Sequence, residues 1–296
     1  MSEDRSLSTG LQEYARRCAG AGDGPLLRLL LILITWLFLS IAVLLPLSVV
    51  FAEAFARGSG VFLSALVSRE TLQALGLTLT VTALVVPANM IFGLSAAWAL
   101  TKFEFPGKPV LLSLIDLPFA VSPVIAGYVL VLVFGSSGWL GPVLSELGVK
   151  VLFSTPGIVL ATIFVTFPMV ARPLIALMED QGREEEETAL SLGAGGLRTF
   201  LTVTLPNVRW ALFYGGLLCA ARSFGEFGAV SVVSGHIRGL TNTMPLHVEA
   251  LYNDNRVAAA FAVASLLASF SLFTLILKFV LERKLPDDVR EAERVR

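Results

Sequence analysis

Three observations predict an all-α, polytopic membrane fold with six spanning helices. The chain of 296 residues is 55% hydrophobic and only 15% charged, with mean hydropathy +0.77, far more apolar surface than one soluble core needs to bury. Apolar runs recur near 26–52, 72–100, 110–134, 156–178, 208–233 and 258–281, each long enough to cross a hydrocarbon core about 30 Å thick. Lys and Arg gather in alternate connections, as they do when short basic loops stay on the cytoplasmic side.

The first run is too long for a signal-peptide core despite the Ala-Glu-Ala at 52–54 that follows it, and it reads as an uncleaved helix. Arg16, Arg17 and Arg28, Lys102 and Lys108, Arg172, Arg183, Arg198 and Arg209, then Arg283 and Lys284 fall on one side; Arg57, Arg69, Lys150, Arg238 and Arg256 fall on the other. Both termini are therefore expected in the cytoplasm, with a tail over 1–25, a six-helix membrane domain over 26–281 and a second tail over 282–296. The turn Thr101–Lys108, around Pro106 and Gly107, is assigned no chemistry. In the third span Pro118, Pro123 and Gly127 predict a kinked helix that lines a wet path, because each proline frees a carbonyl that needs a partner. Ser122 and Tyr128 offer hydroxyls to that path, although a serine in a span commonly bonds its own backbone. Asp116 reads as a solvated carboxylate at the cytoplasmic end of the same run.

Between the fourth and fifth spans the chain reads EEEETALSLGAGGLRTFLTVTLPN. Glu184 to Glu187 place negative charge at a helix N-terminus, Ala189, Leu190 and Leu192 favour the helix, and Gly193 ends it. A second helix is expected from about Leu197, with Leu190, Leu197, Phe200, Leu201 and Val203 as the apolar side of the unit. Gly193, Ala194, Gly195 and Gly196 remove side chains at one spot and let another backbone approach. Pro206 is expected in the first turn of the fifth span, where its missing N–H costs nothing. Further along, Arg222 and Glu226 stand at i and i+4 on one face, roughly 21 and 27 Å along a helix counted from Val208, toward the outer side. They form either a gate that offers positive charge to an anion or a permanent pair that fastens the span. The outer loop Ser234–Arg256 reads as a docking segment or as a connector packed on the bundle.

Glu187, Ala189 and Gly193, followed by Val203, Leu205 and Pro206, resemble the EAA loop of the permease subunits of binding-protein-dependent ABC importers, with Thr188 and Val203 as conservative departures. The resemblance implies a type I (MetI-like) permease core and, over about 179–207, a coupling helix that enters a groove of a cytoplasmic ATPase. It extends to Ile115–Leu130, Gly135–Leu144 and Ala221–Asn253, which look like the sulfate and thiosulfate permeases, the W-type subunit above all. Molybdate and tungstate permeases share an element like Gly225–Gly228 but typically carry Leu-Pro-Pro where this chain has Val121, Ser122 and Pro123. The partners implied are a second permease subunit in a heterodimer, an ATPase dimer, an extracytoplasmic sulfate- or thiosulfate-binding protein and membrane lipid.

With net charge -1 and pI about 6.2, the chain has no basic excess to attract nucleic acid. Cys18 and Cys219 read as free thiols, His236 and His247 as surface residues, and neither a metal nor a cofactor is expected. No constellation for bond chemistry lies in the spans, so an intramembrane hydrolase is disfavoured and any ATP hydrolysis belongs to a partner. An ion-coupled carrier working through Glu226 is the other transport class; the coupling-type loop and the lack of an inverted repeat of broken helices speak against it.

Overall fold

The computed structural model describes residues 25–284, which divide into two compact units at Ala52 and Glu53; the tail 1–24 with Cys18, and 285–296, lie outside the described residues. The first span, Leu26–Phe55, comprises α1 (Pro25–Leu39), a π turn (Ser40–Leu44) and α2 (Leu45–Phe55). Proline lacks the N–H for the i−4 carbonyl and its ring collides with that carbonyl, so the wider π turn that ends just before Pro46 moves the obstructing group aside. The same device recurs at Pro206.

In the second unit, α3 (Ser59–Leu66) leads into α4 (Arg69–Lys102). Ser68 caps α4 by accepting from the Thr71 N–H, while Glu70 and Lys102 lie at the ends that the helix dipole favours for their charges. Its buried residues Thr71, Ala74, Thr78, Val81, Val85, Asn89, Gly93 and Ala97 recur every three or four positions, one stripe turned toward α8 (Thr155–Gln181). Helix α8 is the most enclosed of the four unbroken spans and packs between α4 and α11 (Leu205–Phe224).

Close approach there depends on two glycines. A Cβ on Gly93 would meet Val170 Cγ1 at 3.0 Å, and one on Gly215 would lie 3.0 Å from the Val170 Cα, so Val170 is a wedge seated between two bare backbones. Asn89 ties the same helices together, its Nδ2 donating to Thr166 Oγ1 at 2.7 Å and lying 3.4 Å from both Cys219 Sγ and the Ile163 carbonyl. Gly215→Leu is expected to force α11 off α8 and cost about 3 kcal/mol or more, read as a lower unfolding temperature in detergent; Gly215→Ala loses less.

The third and fifth runs depart from the expectation of continuous spans. Residues 110–134 form α5 (Lys108–Ala120) and α6 (Pro123–Phe134), which meet at 113°, a break and not a kink. At 13 and 12 residues each is about 20 Å long, too short to cross the core alone. Residues 208–233 break at Gly225–Phe227 into α11 and α12 (Gly228–Ser234), bent by 56°. The described residues thus hold four unbroken spans, or six if each bent pair counts as one. The pieces α6 and α12 pack on each other: a Cβ on Gly127 would sit 2.8 Å from Val232 Cβ, and one on Gly228 would sit 2.9 Å from Pro123 Cβ.

The outer loop is a packed connector. Its helix α13 (Met244–Asn253) buries Met244, Leu246, His247 and Leu251 against α14 (Val257–Lys284) and α4. His247 is therefore no surface residue: Thr71 Oγ1 gives its hydrogen to the Ala65 carbonyl and accepts from His247 Nε2 at 3.1 Å, and burial pushes the imidazole below its ordinary pKa. Helix α14 runs to Lys284, slightly past the expected end of the sixth span.

Candidate functional site

Two groups of the predicted residues are assembled, one at the α8–α11 connection and one at the break after α11. In the connection, α9 (Glu184–Ser191) carries four glutamates in its first turn. It ends in a Schellman motif: the Gly193 N–H donates to the Leu190 carbonyl at 2.9 Å and the Ala194 N–H to the Ala189 carbonyl at 3.0 Å. Gly193 has φ +87°, a left-handed conformation that side chains resist, and this explains why the helix stops there. A Cβ on Gly193, Gly195 or Gly196 would meet nothing within 4 Å, so the small-residue face is open.

Ionic tethers hold α9 by its acidic end. Lys102, in the last turn of α4, pairs with Glu186 Oε2 at 2.9 Å and also donates to the Gly182 carbonyl; Glu186 Oε1 accepts from Thr204 Oγ1 at 3.1 Å. Asn207 of α11 donates to Glu185. Arg183 donates to the Thr101 carbonyl at 2.9 Å and pairs with Glu104 at 2.8 Å, and with Lys108 it holds the Glu104 carboxylate below its usual pKa. The turn Thr101–Lys108, assigned no chemistry from sequence, is thus an anchor for α9. These contacts link α9 to both α4 and α11. Glu187 is exposed, with its side chain beside a cavity of about 320 Å³ that Trp98, Phe103, Leu190 and Phe200 also line.

The expected apolar side of this unit is only partly buried. Phe200 packs on Trp98 with ring centroids 5.0 Å apart, but Leu190, Leu197 and Leu201 are exposed and Leu192 is 85% exposed. The second helix begins at Gly196, close to the expected Leu197, but it is continuous with the fifth span, because α10 (Gly196–Thr199), a π turn (Phe200–Thr204) and α11 run on without interruption. Pro206 consequently lies within this helical run and not at its first turn. The Leu205 N–H reaches back to the Phe200 carbonyl, the wide bond that accommodates the proline; Val203 sits inside that turn.

At the second group, Arg222 occupies the last turn of α11, whereas Glu226 lies beyond it in the break. The two are not on one helix face, yet Arg222 Nη2 stands 3.0 Å from Glu226 Oε2. Glu226 Oε1 accepts from the Ala229 N–H at 3.0 Å and so caps α12. The Glu226 side chain is 1% exposed and the Arg222 side chain 38%, so the carboxylate is committed while the guanidinium keeps free donors. Pro123 opens α6 against Gly228, two residues past Glu226; Ser122 is the exposed N-cap of α6 and makes no capping bond through its side chain.

Sequence reasoning missed Asn89 and a second ion pair. Arg172 belongs to α8, not to a connection, and its Nε and Nη2 face Asp116 Oδ1 and Oδ2 on α5. Asp116 is therefore a paired carboxylate and not a solvated helix end. Opposite charges near the same end of neighbouring runs were the available signal.

Residues 89–286 match the family described as "Binding-protein-dependent transport system inner membrane component". The "Sulfate transport system permease protein CysW" of Synechococcus elongatus is 46% identical over 270 residues, covering 91% of this chain and 94% of that protein. The protein of the same name from Escherichia coli strain K12 is 47% identical over 250 residues, covering 84% and 86%. The "Sulfate transport system permease protein CysT" of Salmonella typhimurium is 34% identical over 239 residues, covering 81% and 86%. A chain from the crystal structure of a bacterial alginate ABC transporter, in complex with an alginate-bound periplasmic protein, shares the fold, with TM-score 0.71 at 18% identity over 87% of this chain and 94% of that one.

Proposed function

Because the chain belongs to the binding-protein-dependent transport system inner membrane components, a multi-pass family of the inner membrane, we propose that it is the permease subunit of an ATP-driven importer of sulfate and thiosulfate. The observation that carries the mechanism is the tethered α9 element, open on its small-residue face and fixed by Glu186 and Glu185 to both α4 and α11. An ATPase dimer docks on that face from the cytoplasm. Its closure shifts α9, and the ion pairs deliver the shift to two spanning helices at once. Ala189, Gly193 and Ala194 shape the docking surface, Glu187 faces the ATPase, and Val203, Leu205 and Pro206 stiffen the passage into α11.

The basic connections favour cytoplasmic termini, and in that orientation the Arg222–Glu226 pair lies toward the outer face. A second permease subunit completes the pathway, and an extracytoplasmic binding protein delivers the ion. Arg222 receives the dianion while Glu226 balances its charge when the pathway is empty; Ser122 and Pro123 frame the same break. The chain itself performs no bond chemistry.

The complete importer in proteoliposomes tests this reading. Radiolabelled sulfate uptake is expected only with ATP on the ATPase side and binding protein on the other, with thiosulfate competing better than molybdate. Uptake under a proton gradient without ATP overturns it in favour of an ion-coupled carrier, and stronger competition by molybdate overturns the choice of ion.

A further inference from the structure

We propose that Arg172 is a second oxyanion station, occupied after Arg222 on the same path; this rests on the reading of the chain as an oxyanion permease. A guanidinium has five N–H donors. Asp116 faces Arg172 at Nε and Nη2, and the Arg172 side chain is 32% exposed, so its remaining donors are open on one side. The Arg222 guanidinium repeats this arrangement, facing Glu226 from Nη2 with its side chain 38% exposed. Arg172 and Arg222 are thus each half-committed to a carboxylate of the same chain.

Helix register places the two stations in line. The antiparallel helices α8 and α11 meet where Val170 faces Gly215, and again where Asn89 bonds both Thr166 and Cys219. That register sets Arg172 level with Phe213, about nine residues short of Arg222, or about 14 Å at the helical rise.

Chemistry explains why such stations come with a carboxylate attached. A bare arginine in a low-dielectric path would hold a tetrahedral dianion too tightly to release it, and conduction needs binding that admits the ion and then lets it go. Asp116 competes with the ion for Arg172, so the dianion gains open donors on arrival and is displaced as the carboxylate closes again.

The double variant Asp116→Leu/Arg172→Met separates the two roles, because removing both partners of an ion pair together leaves no charge stranded without its counter-ion. In the complete importer it is expected to assemble with its partners at the parent level and to take up sulfate at least tenfold more slowly. Full uptake overturns the proposal. The single variant Asp116→Asn removes the competitor while keeping the arginine, and is expected to lower the maximal uptake rate and the apparent KM together. Unchanged values of both overturn the proposal even if the double variant fails to assemble. Failure of the underlying reading looks different: the unaltered importer then moves no oxyanion with ATP.

Discussion

Gly193→Glu leaves the chain in the membrane and abolishes ATP-driven uptake. At φ +87° a side chain costs roughly 1–2 kcal/mol, but a Cβ there meets nothing within 4 Å, so the fold absorbs the change. The new carboxylate stands on the proposed docking surface, at the end of α9 opposite the acidic turn Glu184–Glu187. Pull-down of the ATPase subunits with the tagged chain is expected to fall at least tenfold, with membrane levels unchanged. Gly193→Asn is the control, since asparagine tolerates the left-handed region, and it is expected to retain most of the uptake. Full uptake by Gly193→Glu with the ATPase still bound would falsify the docking role of α9.

Arg222→Gln has the second large effect, and its origin has to be divided in two. The substitution leaves Glu226, 1% exposed, as a carboxylate without its counter-ion, which costs up to about 3 kcal/mol for a pair whose other member is half exposed. Adding Glu226→Gln removes that stranded charge, and the glutamine oxygen can still accept from the Ala229 N–H that caps α12. The double variant is therefore expected to recover the stability of the parent in thermal melts. Its sulfate uptake is expected to stay at least tenfold low if Arg222 contacts the ion. Recovery of uptake along with stability makes the pair a fastener only.

How much of the site was legible depended on the distance over which each feature is specified. Gly193 was readable as a helix end because its signal is local, and the Schellman bonds follow from it. The tethers of Glu185 and Glu186 were not, since their partners Asn207, Thr204 and Lys102 are brought there by the turn after α4 and the approach of α11. The same limit applied to Arg172, which a charge count assigned to a connection although α8 carries it to Asp116. Pro206 was expected at a first turn where it costs nothing; that it and Pro46 each follow a π turn appears only in the backbone.

Apolar content and charge placement determined, from the sequence alone, a helical membrane protein with six apolar runs, a small amphipathic loop between the fourth and fifth, and an ionisable pair near the end of the fifth run. Only the tertiary structure decided that two of those runs break, that Glu226 sits in one of the breaks, and that α6 and α12 pack through Gly127 and Gly228. Hydropathy sums a property that ignores direction, whereas a break and an ion pair between helices depend on which faces meet.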